Sequence, residues 1–170
     1  FISTKGGFFP FDGAPPVDAK AWIEEKFVRT GIVPADAIAA GCHSMAPAYL
    51  KNQLETSLRN LRLHSVDIYY LHNPETQLPE VGRNTFLERI RNAFAFLESA
   101  ASEGKIGVYG VATWGGLRAE EGAPGYLSLS ELEAAARDAG GDAHRFRAVQ
   151  VPINLAMPEA IVRPNHTVAG

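Results

Sequence analysis

Apolar residues along this chain follow two rhythms that alternate. Short, nearly continuous apolar runs at residues 1–3, 66–71, 107–111 and 147–153 have the composition of strands buried on both faces. Between them the apolar positions recur at helical spacing. Leu50, Leu54, Leu58 and Leu61 form one stripe and predict a helix over 47–61. Phe86, Ile90, Phe94, Leu97 and Ala101 form a second, predicting a helix over 85–102. Thr85 followed by Glu88 has the spacing of a reciprocal cap at its start, and Gly104 suits a left-handed stop at its end. Ser128 and Glu131 open a third helix over 128–138, ahead of Gly140-Gly141. A shorter helix is predicted over 17–29.

Strands alternating with helices imply parallel strands joined by right-handed crossovers. Two architectures satisfy that order, a doubly wound sheet and a (β/α) barrel. A doubly wound nucleotide domain usually carries G-x-G-x-x-G after its first strand. Here only Gly6-Gly7 follows residues 1–3, so the barrel is the better match. The predicted fold class is α/β, an incomplete (β/α)8 TIM barrel with about four of its eight parallel strands. The chain opens inside a strand at Phe1 and stops at Gly170 without a closing element. Both ends read as cuts, and residues 1–170 are expected to be a partial domain truncated at each end.

Composition narrows the class further. With 46% hydrophobic and 21% charged residues and a net charge of −3, the chain matches a folded soluble protein. No Lys/Arg cluster marks a nucleic-acid groove, and no apolar run approaches the ~20 residues of a membrane span. One cysteine, Cys42, rules out an internal disulfide and fits a cytoplasmic location. The histidines at 43, 64, 72, 144 and 166 include no pair at i, i+4, so a metal site is not expected.

Barrel enzymes build their sites at the carboxyl ends of the strands. Four consecutive strand ends here deliver Lys5, His72, Thr113-Trp114 and then Gln150 with Asn154. Each has a plain reading: a solvated lysine, a turn histidine, a hydroxyl closing a loop. Gln150, set between Val149 and Val151, is an amide that needs partners if buried. Together they describe one candidate pocket.

These same segments resemble the aldo-keto reductase family. Phe1-Ile2-Ser3-Thr4-Lys5 is similar to its lysine-bearing strand. Leu54-Glu55-Thr56-Ser57-Leu58-Arg59-Asn60-Leu61 and the run from Val66 to Pro74 resemble its L-E-x-S-L-x-x-L and V-D-x-Y-x-x-H-x-P. Gly104-Lys105-Ile106, leading to Gly110-Val111, resembles G-K-I-R-x-x-G-V-S-N, and residues 149–155 resemble V-Q-x-x-Y-N-L. The likeness spans about residues 1–155.

The resemblance implies carbonyl reduction by hydride from NADPH. Lys5 would lower the pKa of a tyrosine general acid, and His72 would hydrogen-bond the carbonyl oxygen. Gln150 and Thr113 would hold the nicotinamide carboxamide. Two departures stand out. The family's catalytic aspartate and tyrosine precede the lysine strand, and Tyr49, Tyr69, Tyr70, Tyr109 and Tyr126 do not match that motif. Where the family has Ser-Asn, this chain has Ala112-Thr113. Two other functions stay open: a Schiff-base aldolase or lyase using Lys5, and a non-catalytic NADPH-binding barrel. The long segment from Gly6 to Met45 reads either as a lid at the pocket or as an excursion packing its aromatics on the barrel flank.

A four-strand arc exposes two parallel edges. This 170-residue polypeptide alone is therefore expected to self-associate or unfold and to be catalytically silent. An active, monodisperse monomer in size-exclusion chromatography with light scattering would contradict that.

Overall fold

The computed structural model describes residues 1–11, 13–164 and 166. Four parallel strands make one sheet: β1 (Ser3–Gly6), β4 (Val66–His72), β5 (Ile106–Ala112) and β6 (Phe146–Gln150), side by side in that order. Helices α2 (Pro47–Leu61), α3 (Leu78–Ser102) and α4 (Leu129–Gly140) fill the three crossovers. Between β1 and α2 the chain also makes the short helix α1 (Ala19–Ile23) and a small antiparallel pair, β2 (Ile38–Ala39) and β3 (His43–Ser44). A single turn, α5 (Glu159–Val162), follows β6. Successive sheet strands are neighbours with no reversal of order. That arrangement is an arc of a (β/α)8 barrel, not a doubly wound sheet, whose order reverses at its switch point.

Local signals explain most boundaries. α2 occupies the predicted residues and ends with Arg62 in the left-handed region (φ 56°). The Ser128 hydroxyl caps α4 by accepting from the Glu131 N–H at 3.4 Å. At the end of α3, Gly104 (φ 73°) donates to Ala101 O at 3.0 Å and Lys105 donates to Ala100 O at 2.9 Å. This pair of bonds is the Schellman stop that glycine favours.

Three expectations need correction. α3 begins at Leu78, after a 3-10 turn at Pro74–Gln77, and is interrupted at Gly82 (φ 71°, ψ 167°). The stretch after this break runs to Ser102, close to the predicted 85–102, with Thr85 in its first turn rather than at its cap. β1 runs through the polar residues Ser3–Gly6 and leaves Phe1 and Ile2 outside, because its stability comes from the ladder Ser3↔Ile68 to Gly6↔Leu71 rather than from apolar side chains. β6 stops at Gln150, ahead of Pro152, which has no N–H for a ladder.

The core lies between the outer face of the sheet and the helices. Tyr69, Leu71, Tyr109 and Val111 are fully buried there against Leu54, Ile90, Phe94, Leu97 and Leu132. Phe94 packs on Tyr109 and Phe146 at centroid distances of 5.0 and 5.3 Å. Each such side chain contributes roughly 1.5–3 kcal/mol through burial. A second cluster joins Phe9, Ile23 and Val33 to Tyr49 of α2. No helix among the described residues is long and apolar enough to cross a membrane.

Register decides what faces inward. Lys5, Tyr70, Gly110 and Ala148 are aligned across the four strands, and His72, Ala112 and Gln150 are aligned one step nearer the rim. The β5–β6 pairing shifts between Tyr109↔Phe146 and Gly110↔Ala148, so Arg147 is an extra residue in β6. Such a bulge reverses the alternation that follows it. It turns Gln150 onto the inner face, opposite to the side that Phe146 occupies.

Gly110 makes the shift sterically feasible, since a Cβ there would overlap the Ala148 carbonyl oxygen. Gly110→Ala should cost about 3 kcal/mol, the upper range for overpacking. Thermal denaturation against Gly115→Ala, where a Cβ meets nothing within 4 Å, checks this.

Candidate active site

Lys5, His72, Thr113 and Gln150, from four strand ends, line one cavity of about 290 Å³. Asn73, Ala112, Trp114, Val151 and Pro152 complete its walls. Asn154 does not join them. It lies beyond β6, where its Oδ1 accepts from the Ala156 N–H at 2.9 Å.

Each side chain is delivered by a defined local structure. Lys5 sits on edge strand β1, exposed and without an ion-pair partner among the described residues. Just past it, the Gly7 N–H donates to Gln53 Oε1 on α2 at 2.9 Å, fixing the turn. His72 ends β4 half-buried, with the Phe8 ring edge-on at 5.1 Å. Burial, and then the Lys5 charge, hold its imidazole below the ordinary histidine pKa, against an opposing pull from Glu75. A neutral ring keeps one N–H donor, as a hydrogen bond to a carbonyl oxygen requires.

Thr113 is buried, and its hydroxyl is already engaged. It donates to Glu75 Oε1 and accepts from the Gly116 N–H at 2.8 Å. One acceptor lone pair remains. Gln150 is exposed to the cavity mouth, and its side-chain amide has no hydrogen-bond partner among the described residues. Its backbone carbonyl accepts from the Thr113 N–H at 2.9 Å, holding the two residues side by side.

The aldo/keto reductase family model matches residues 1–130. This chain belongs to the aldo/keto reductase family. The match contains Lys5, His72 and Thr113; Gln150 lies beyond it. No individual curated protein matched the chain.

Within this aldo/keto reductase arc, sequence reasoning missed the groups behind the cavity. His43, wholly buried, places Nε2 2.8 Å from the His72 carbonyl oxygen and Nδ1 3.0 Å from Gln77 Nε2. Gln77 Oε1 accepts from Arg89 at 2.8 Å. Glu75 Oε1 receives Thr113 and the N–H groups of Gly115 and Gly116, while Oε2 is buried without a partner among the described residues. His43 and His72 are separated by 29 positions and Thr113 and Glu75 by 38, so no periodicity links them.

The long segment before α2 divides between its two readings. Trp22, Phe27 and Phe9 pack on the flank around Tyr49, whereas Phe8 reaches the rim and touches both His43 and His72. Burial pushes the phenols of Tyr49, Tyr69 and Tyr109 up, away from use as proton donors near neutrality. Burial, with the charge of Glu80, likewise pushes the Cys42 thiol up. Among the described residues no cluster of His, Cys, Asp or Glu is arranged to hold a metal ion.

Burial, opposed in part by the bond to the His72 carbonyl, lowers the His43 pKa to about 4 from an ordinary 6.5. Between those values the unfolded chain binds more protons than the folded one. The stability contribution is complete above about pH 6.5 and is lost as pH falls toward 4, roughly 3 kcal/mol in all. Urea denaturation across this window should show that slope, and His43→Gln should remove most of it.

Proposed function

We propose that the protein works as an NADPH-dependent reductase of the cytoplasm, converting an aldehyde or ketone to an alcohol. The observation that carries this reading is the convergence of Lys5, His72, Thr113 and Gln150 on one cavity at the carboxyl ends of four parallel strands. Family membership supplies the oxidoreductase class.

The donor set suits a nicotinamide carboxamide. Gln150 offers a free amide, able to donate and accept, and Thr113 retains one acceptor lone pair. Thr113 would thus take the carboxamide NH2, leaving its carbonyl to Gln150. Ala112 contributes no polar atom, so the grip uses fewer groups than the Ser-Asn pair would supply.

NADPH, when bound, supplies the hydride. The chain's own residues orient the acceptor and manage charge. His72 donates its ring N–H to the carbonyl oxygen, stabilising negative charge as it develops there. Lys5 stands on the sheet's edge strand, where its cation would lower the pKa of the tyrosine general acid that the family carries on the preceding strand and that gives the developing alkoxide its proton. Each pKa unit of that effect is worth about 1.4 kcal/mol. Fixing the ring with Gln150 and the carbonyl with His72 selects one approach of hydride to carbon.

The test is NADPH consumption by the full-length gene product with a panel of aldehydes and ketones. Lys5→Met and His72→Ala should each lower kcat by about a hundredfold or more. Gln150→Ala should mainly raise KM for NADPH, by about tenfold. Substrate-dependent borohydride trapping on Lys5, without NADPH consumption, would indicate the Schiff-base lyase instead. Tight NADPH binding with no turnover would indicate a non-catalytic barrel.

A further inference from the structure

Behind the cavity, a row of polar groups, buried at Gln77 and His43, runs from α3 to the end of β4. Arginine only donates and a peptide carbonyl only accepts, so both ends of the row have fixed polarity. Arg89 donates to Gln77 Oε1 at 2.8 Å, which turns the Gln77 amide nitrogen toward His43. His43 Nδ1 must then accept, its proton must sit on Nε2, and Nε2–H donates to the His72 carbonyl at 2.8 Å. His43 is wholly buried, as is Gln77. The row therefore sets one tautomer and one direction of bonding.

The same groups bind the long segment to the rim. Arg89 also donates to Asp36 O at 2.7 Å, just ahead of β2. Phe8 bridges to His43 through its backbone and sets its ring edge-on to both imidazoles, 5.0 Å from His43 and 5.1 Å from His72. Gly7 lacks a Cβ where one would lie 2.6 Å from His43 Nε2, so the backbone can close over the ring.

We propose that His43 is a positioning residue for His72: the segment between β1 and α2 delivers a buried neutral imidazole whose Nε2–H anchors the His72 backbone and aims its ring into the cavity. The proposal rests on the reductase reading of His72. It gives the segment a role other than covering the pocket. His43 itself touches neither substrate nor cofactor.

The full-length protein tests this with His43→Leu, which deletes the donor, and His43→Gln, whose amide can restore it. Gln77→Leu keeps the imidazole but removes its partner, and carries the comparison if His43→Leu does not fold. His43→Leu should lower kcat about ten- to hundredfold, the cost of misplacing a reacting group. NADPH affinity, read by fluorescence, should stay within about twofold, because the row ends on His72 and not on Gln150 or Thr113. In an NMR titration, the His72 ring should move up toward the ordinary histidine pKa as it gains water. His43→Gln should recover both kcat and the His72 titration.

Unchanged kcat and unchanged His72 titration in a folded His43→Leu or Gln77→Leu protein would overturn the proposal. So would a His43→Gln protein that melts like wild type yet stays as slow as His43→Leu. If the wild type consumes no NADPH, the reductase reading fails, and the NMR comparison still decides whether His43 positions His72.

Discussion

One face of the four-stranded sheet is buried under three helices, and the rest of the molecule follows from that burial. Tyr69, Leu71, Tyr109 and Val111 have no exposed surface beneath α2, α3 and α4. Since side chains alternate along a strand, burying this set outward forces Tyr70 and Gly110 inward, and strand pairing sets Lys5 beside Tyr70 and, past the bulge in β6, Ala148 beside Gly110. Shifting one strand by a residue would exchange the two sets. The hydrophobic contacts with the helices thus specify which polar residues reach the cavity.

The inner face is finished by the loops at the strand ends, which hold each other through backbone and side-chain hydrogen bonds. Asn73 N–H donates to Ala112 O at 2.6 Å, and the Trp114 N–H donates to Asn73 Oδ1 at 2.9 Å. Glu75 gathers donors from Thr113, Gly115 and Gly116. These contacts keep the β4 and β5 loops in one geometry, and they also use Thr113 as a structural group. Thr113 therefore closes its own loop while lining the cavity. Asn73, left-handed at φ 43°, turns the chain directly after His72, so the histidine is the last residue in ladder geometry.

Support for His72 comes from a part of the chain that contributes nothing to the sheet. The segment between β1 and α2 has its own apolar cluster around Phe9, Ile23, Val33 and Tyr49. That cluster carries β3, and with it His43, to the back of the His72 carbonyl. A buried imidazole without partners would be costly; with Gln77 and the carbonyl satisfied on either side, it is accommodated as the neutral form.

The sequence alone determined the alternation of the four sheet strands with α2, α3 and α4, their parallel connectivity and the extent of α2, but not the β2–β3 pair inside the long segment. These depend on local periodicity, caps and the alternation of apolar runs, all of which span a few residues. Lys5, His72, Thr113 and Gln150 were legible because a barrel places strand ends on one rim. Tertiary structure decided which way they face and what holds them. The extra residue in β6 that turns Gln150 inward leaves no mark in hydropathy, because it arises from pairing with β5 around Gly110. β1 is polar and is a strand only through its ladder to β4. The use of the Thr113 hydroxyl by Glu75, and of His43 by His72, joins residues far apart in the chain. Such pairings exist only after burial has brought the segments together, because burial is what makes an unpaired polar group costly enough to require a particular partner.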